Sequence, residues 1–256
     1  MKNALFISVR TGSSRLPNKA ILKINNRASI EYLIERLKDN TFADQIVLCT
    51  TELSQDDILC EIAKKNGIKH FRGSSEDKLQ RWLDASTYFK IERFVNVDGD
   101  DLFFDAPLAD LCFKTLLDSN ADFIDGSGFY NDVYGVKVNA LKKVCETKNT
   151  DDTEFVKSFF TESGIFNCKK LNNVPKIYHK KNIRMTLDYE EDLLFFKEVI
   201  NSLKENKEYL DFSKIINFLV DNPEVININW YREQNWKDNQ KKIIEQQSNY
   251  FEKKGK

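Results

Sequence analysis

Short apolar segments with strand character alternate with helix-period segments through the first hundred residues, and this alternation narrows the possible folds more than any other feature. Residues 4–9 read as a buried strand. Ile30, Leu33, Ile34 and Leu37 then fall at helical spacing, with Ser29 as the expected N-cap. Gln45–Thr50 predicts a second strand. Ser54-Gln55-Asp56-Asp57 is a capping-box pattern that opens a helix, and Gly67 closes it. Ile68–Phe71 predicts a third strand, Leu79, Trp82 and Leu83 a helix, and Phe94–Val97 a fourth strand. Strand and helix thus exchange about every 20 residues, the pattern of βαβ units and a mainly parallel sheet. Such sheets bind ligands beyond the carboxyl ends of their strands. Loops that follow strands are therefore the places to look for chemistry.

The pattern is less regular from about residue 108 to 180. Leu108, Leu111, Cys112, Thr115 and Leu116 predict a helix, Tyr134–Val138 a strand, and Phe155, Phe159 and Phe160 a short aromatic helix face. Arg184–Leu187 reads as another strand, with an acidic helix start at Glu190-Glu191-Asp192. Ile215, Ile216 and Leu219 mark a further helix that stops near Asn222-Pro223. We expect one domain over residues 1–230 and a polar tail over 231–256 that is either a solvated helix or frayed.

With 39 Lys and Arg against 40 Asp and Glu, the net charge is -1, so no bulk field favours nucleic acid or an anionic membrane. No apolar run reaches the length of a membrane span, and the Ala4–Ile7 stretch is too short for a signal-peptide core. A cytoplasmic protein is the expectation. The five cysteines are scattered without C-x-x-C spacing and read as reduced thiols. His70 and His179 show no catalytic partner spacing, and the three tryptophans read as packing residues.

Three post-strand segments carry chemical promise. In Arg10-Thr11-Gly12-Ser13-Ser14-Arg15-Leu16-Pro17-Asn18-Lys19, three cations flank a loop of small residues. Gly12 admits close backbone approach, free amides and Ser13 can donate to phosphate oxygens, and the Arg forks and the Lys ammonium suit a polyanion. A solvated basic turn is the plain alternative. Neither a Walker loop nor a G-x-G-x-x-G fingerprint is present. In Asn96-Val97-Asp98-Gly99-Asp100-Asp101, acids gather at a strand end, where a hard cation or a simple Asp-Gly turn would both fit. Asp188, after Arg184-Met185-Thr186-Leu187, occupies an equivalent place, so Asp100 and Asp188 form the candidate metal pair. In Phe71-Arg72-Gly73-Ser74-Ser75-Glu76-Asp77-Lys78, spacing alone predicts a helix start.

These segments resemble the cytidylyltransferases that make CMP-sugars, among them the CMP-Kdo and CMP-sialic acid synthetases, and above all the SpsF-type enzymes. Family members read roughly R-x-G-S-x-R-L-P-x-K in the first loop, which Arg10, Gly12, Ser13, Arg15, Leu16, Pro17 and Lys19 match. The usual residues before the Arg are replaced by Ser8-Val9. Asp100 matches the metal position of V-x-x-x-G-D-x-P, with Leu102 in place of the proline, and Asp188 matches that of R-x-T-V-D-x-x-E-D-L. The Phe71–Arg81 run is similar to F-R-G-S-x-x-D-V-L-x-R, which helps shape the nucleotide pocket and makes Arg72 and Ser74 candidates to read cytosine. The segment from Phe212 to Asn227 also fits. The usual G-x-D-x-E arrangement is missing at Gly128–Tyr134, within the acceptor and dimer region of the family.

The resemblance implies a Rossmann-like three-layer α/β/α nucleotidyltransferase fold with a mainly parallel mixed sheet. It implies that CTP is the co-substrate, that Mg²⁺ is held by Asp100 and Asp188, and that Arg10, Gly12, Ser13, Arg15 and Lys19 receive the triphosphate. Asp98 would assist deprotonation. The acceptor is expected to be a sugar acid, for surface glycan synthesis, in a homodimeric enzyme. A phosphorylated sugar or polyol giving a CDP-linked product is the second reading, and a non-catalytic nucleotide-binding module the third.

Overall fold

The computed structural model describes residues 2–179, 182–203 and 211–252. Three strands of the first hundred residues come from apolar runs buried on both faces, as parallel sheets require: β1 (Asn3–Ser8), β4 (Gln45–Thr51) and β6 (Arg93–Asp98), while β5 (Lys69–Gly73) is a partly exposed strand at the sheet edge. Between β1 and β4 lie a small hairpin, β2 (Lys23–Ile24) with β3 (Arg27–Ala28), and helix α1 (Ser29–Leu37). Helix α2 (Asp57–Lys65) links β4 to β5, and α3 (Lys78–Phe89) links β5 to β6. Then follow α4 (Ala106–Asp118), β7 (Phe123–Gly126), β8 (Val133–Lys137), α5 (Val138–Thr147), α6 (Val156–Thr161) and β9 (Cys168–Lys170). Helices α7 (Glu190–Ser202), α8 (Phe212–Asp221), α9 (Pro223–Ile226) and α10 (Arg232–Glu252) complete the described chain.

The seven-stranded sheet runs β5-β4-β1-β6-β8-β7-β9. β1 pairs in parallel with β4 and β6, and β4 with β5, whereas β8 lies antiparallel between β6 and β7. The chain thus builds outward from β1 in one direction and then crosses to its other side at β6. That reversal leaves a crevice at the carboxyl ends of β1 and β6, whose last residues Ser8 and Asp98 are paired.

Alternation along β1 divides the core into two layers. Leu5 and Ile7 pack with Ile30, Leu33, Leu59, Phe113 and Phe196 on one face. Ala4 and Phe6 pack with Trp82, Phe94, Leu141 and Phe160 on the other. The architecture is therefore the α/β three-layer one expected, with a mainly parallel mixed sheet.

Several local expectations need correction. Ala28, not Ser29, is the N-cap of α1, and Glu31 accepts from its N–H at 2.9 Å. Ser29 Oγ instead donates to the Lys19 carbonyl at 2.5 Å. Arg184–Leu187 forms no ladder. It is an unpaired extended segment, tied to the sheet side by the Leu187 N–H to the Asp100 carbonyl (2.9 Å) and by Asn131 Nδ2 to the Met185 carbonyl (3.0 Å). Within the polar tail α10 runs from Arg232 to Glu252, the helical one of the two forms expected there, and its first turns pack against Arg184.

Gly99 sets how closely the β6 loop approaches β1. A Cβ there would lie 2.6 Å from Val9 Cβ and 3.2 Å from Ile30 Cδ1. Gly99→Ala is expected to destabilise the protein by about 1–3 kcal/mol through overpacking, read as a lower urea midpoint at unchanged m-value.

Candidate active site

The loop after β1 is shaped by one buried carboxylate. Asp56 Oδ1 accepts from the Thr11 N–H (2.8 Å) and the Thr11 hydroxyl (2.6 Å), and its other oxygen accepts from Thr51. Thr11 in turn offers its carbonyl to the N–H groups of Ser13 (2.9 Å) and Asn18 (3.0 Å). Asn18 sits at φ 59°, in the left-handed region that asparagine tolerates, and the chain turns back so that Lys19 faces the strand ends. Ser8, at the position where the residues before Arg10 depart from the family pattern, is committed to the interior. Its hydroxyl donates to Asn96 Oδ1 (2.5 Å) and accepts from the Trp82 indole (2.8 Å).

This loop opens onto a cavity of about 610 Å³ lined by Arg10, Gly12, Ser13, Arg15, Lys19, Asp98, Asp100 and Asp188. Eight sequence-expected residues therefore share one space. At its floor, Lys19 Nζ donates to Asp100 Oδ2 (2.5 Å) and Asp188 Oδ1 (2.8 Å), and Arg15 donates to Asp188 Oδ1 (2.6 Å). Lys78 donates to Asp98 Oδ1 at 2.7 Å. Arg10 stands nearer the mouth, donating to the Ser75 carbonyl (3.3 Å) and paired with Glu154 (3.6 Å).

The charges at the floor do not balance evenly. Burial opposes ionisation of Asp188, but Lys19 and Arg15 outweigh it and hold the carboxyl at about 2. Burial likewise opposes the charge on Lys19, yet Asp100 and Asp188 raise its pKa and keep it an ammonium. Asp100 ends above the usual carboxylate range, because burial and the charges of Asp188 and Asp98 exceed what Lys19 offsets. Asp101 is raised further by burial, Asp100 and Asp98. Asp98 is also disfavoured by burial but is held down by Lys78. The surplus of negative charge thus falls on Asp100 and Asp101, whereas Asp188 is met by Lys19, Arg15 and Arg184.

That surplus bears on metal binding. Among the described residues, no group of three or more His, Cys, Asp or Glu side chains is arranged to hold an ion. Magnesium, however, is commonly held by one or two carboxylates together with substrate phosphates and water. Asp100, on which that surplus falls, and Asp188 are both bonded to Lys19 Nζ, and the pair fits that mode.

Arg72 and Ser74 lie elsewhere. The Arg72 guanidinium is spent on the carbonyls of Thr51 (3.1 Å), Glu52 (2.7 Å) and Leu53 (3.0 Å) and on Asp57 (2.5 Å), which ties the end of β4 to β5. Ser74 Oγ accepts from the Asp77 N–H at 3.0 Å, inside the turn that opens α3. Ser75, Glu76, Lys78 and Arg81 of the same run line the cavity instead. Lys78 had a legible signal: a lysine in the first turn of a helix opposes the macrodipole and needs another reason to be there.

Behind Asp188 stands Arg184, 1% exposed. It donates to Asp192 through Nε (2.9 Å) and Nη2 (3.0 Å), and it meets Asp188 at 3.4 Å and Glu233 at 3.5 Å. Asp192 also accepts from the N–H groups of Asp188 (2.8 Å) and Tyr189 (2.9 Å), so it caps α7 while fixing the backbone that carries Asp188. Glu191 turns outward to Arg232 at 2.8 Å.

Residues 4–223 match the cytidylyltransferase family. This chain belongs to the cytidylyltransferase family. The spore coat polysaccharide biosynthesis protein SpsF of Bacillus subtilis is 26% identical over 217 residues, covering 81% of this chain and 90% of that protein. An uncharacterized protein of Methanocaldococcus jannaschii is 31% identical over 205 residues, covering 78% of this chain and 83% of its own. A cytidylyltransferase structure from Leptospira borgpetersenii superposes with a TM-score of 0.80 at 28% identity, over 88% of this chain and 97% of that one. Cytidylyltransferases are nucleotidyltransferases, and the enzyme class follows from the family. Among the described residues of this cytidylyltransferase, no helix is long and apolar enough to cross a membrane.

Asp56 supplies a test of how the cytidylyltransferase loop is held. Burial opposes its ionisation, but the hydrogen bonds from Thr11 and Thr51 outweigh it and depress its pKa. A depressed folded-state value gives stability that is present above the unfolded carboxyl value and lost as pH falls through the folded one. Asp56→Ala is expected to cost about 1–3 kcal/mol at pH 7. In urea titrations at several pH values, the gap from the unmodified protein should close below about pH 4.

Proposed function

We propose that this protein transfers CMP from CTP to a sugar-acid acceptor, with release of pyrophosphate, in the synthesis of a surface glycan. One observation carries the reading: Lys19 joins Asp100 to Asp188 at the floor of a cavity that holds Arg15 beside them and Arg10 nearer its mouth. The family match and the likeness to SpsF supply its direction.

In this reading the triphosphate lies along the loop from Arg10 to Lys19. Gly12 leaves room for it, and the Ser13 hydroxyl and the guanidinium forks of Arg10 and Arg15 bind its oxygens. Lys19 is already charged and desolvated, so it can exchange a carboxylate contact for a phosphate oxygen without taking up a proton. A magnesium ion held by Asp100 and Asp188 would supply charge neutralisation at the α-phosphate. An acceptor hydroxyl attacks the α-phosphorus in line. The new P–O bond forms as the bond to the β-phosphate breaks, and pyrophosphate leaves with the electron pair. Asp98, kept ionised by Lys78, is the carboxylate placed to take the hydroxyl proton. The protein contributes no nucleophile, so its share of catalysis is positioning and preorganised charge. A homodimer belongs to the same reading, and sedimentation equilibrium would read it.

The test is pyrophosphate release with CTP, Mg²⁺ and a panel of sugar acids and sugar or polyol phosphates. Turnover is expected with CTP and a sugar acid. Asp100→Ala and Asp188→Ala should each lower kcat by about 100-fold or more, the scale of losing one preorganised charge contact. Full turnover by either variant under saturating Mg²⁺ would falsify the assignment.

A further inference from the structure

The match to the cytidylyltransferase family ends at residue 223, before α10 begins at Arg232. Yet Glu233, Trp236, Asn239 and Gln240 of α10 line the cavity. Their spacing of three, six and seven residues places them on one side of the helix. Much of the cavity wall is charged, with Phe129, Tyr130, Asn131, Tyr134 and Phe155 among its other lining residues, and α10 adds an indole and two neutral amides on the side next to Arg184. Its one charge, Glu233, is 4% exposed and turned onto Arg184 at 3.5 Å.

Arg184 fixes where this face stands. Its guanidinium carbon lies 6.0 Å from the centre of the Trp236 ring, while its Nη2 meets Asp188 at 3.4 Å. The α10 face is therefore one side chain away from the carboxylate that Lys19 and Arg15 engage. Trp236 is half-buried, and Asn239 and Gln240 are partly exposed on the cavity side, whereas Gln234, Asn235, Lys237 and Asp238 are exposed to solvent.

We propose that Trp236, Asn239 and Gln240 form the wall that receives the ring of a polyhydroxylated acceptor, and that α10 is a specificity element of this chain. The chemistry is that of a pyranose or open polyol. An aromatic face packs on its C–H surface, and amides both donate to and accept from its hydroxyls. A phosphate or a carboxylate would find no charge to pair with on this face, so such groups would be directed toward the Arg and Lys side of the cavity. The proposal rests on the cytidylyl-transfer reading for the identity of the reaction, but its wall can be probed separately.

Pyrophosphate release would be measured with CTP and the sugar-acid panel for the unmodified enzyme, Trp236→Ala, Trp236→Phe and Gln240→Ala. With Trp236→Ala, the acceptor KM should rise about tenfold or more, the scale of losing one well-placed pocket contact. The KM and Kd for CTP should stay within about twofold, and Trp236→Phe should recover most of the loss. Equal shifts for acceptor and CTP would make α10 a structural brace only, and no shift in either would remove it from the site. Both results overturn the proposal. If the unmodified enzyme bound CTP but turned over no acceptor, the transfer reading would fail instead. The wall is then read from tryptophan emission against the same free sugar acids. Quenching lost in Trp236→Ala sustains it, and no quenching by any of them overturns it.

Discussion

A charged lysine held out of water between two aspartates is the constraint around which this molecule is arranged. Lys19 Nζ sits 2.5 Å from Asp100 and 2.8 Å from Asp188. Removing either acid would leave a desolvated ammonium short of a partner, and removing the lysine would leave adjoining carboxylates in repulsion. The arrangement is stable only if both acids and the lysine are delivered to the same point. Three separate segments of chain do so: the turn after β1, the loop after β6, and the unpaired segment before α7.

Each delivery has its own anchor. Asp56 and Ser29 hold the first turn from two directions, and Gly99 lets the second loop lie against Val9. Arg184 and Asp192 hold the third segment, which lacks a ladder and depends on side chains and on one backbone bond, from Leu187 to Asp100, for its position. The anchors are themselves buried polar groups. The chain therefore surrounds a reactive set of charges with a second set that is largely satisfied within the protein, which limits how far the first can relax.

Much of this was legible in the residues. Apolar runs located β1, β4 and β6 because strands buried on both faces need continuous hydrophobic stretches, and the helix signals on either side bracketed the partly exposed edge strand β5. The loop from Arg10 to Lys19 and the acids Asp100 and Asp188 were visible because cations and carboxylates immediately after such runs must emerge at a sheet edge. Arg184–Leu187 reads as a strand but forms no ladder, because a short buried segment held by single bonds to Asp100 and Asn131 has the same local pattern as one held in a sheet. Arg72 and Ser74 were drawn toward the cavity by motif, while three unpaired carbonyls at the end of β4 claimed the guanidinium. The short strands β7 and β9 have no periodic signature, for a strand of three or four residues is too brief to display one. The approach of Trp236 to Arg184 was out of reach because nothing local links residue 236 to residue 184.

The distances along the chain between these partners bear on how the molecule is made. A growing polypeptide can pair β1, β4, β5 and β6 once about the first hundred residues have emerged, because all their ladders lie within that span. Lys19 must then wait until Asp188 has been synthesised, and Arg184 waits longer still for Glu233. During translation the half-built protein is thus a sheet with an incomplete charge cluster at one edge, closed when Asp188 arrives and braced only after α10 follows.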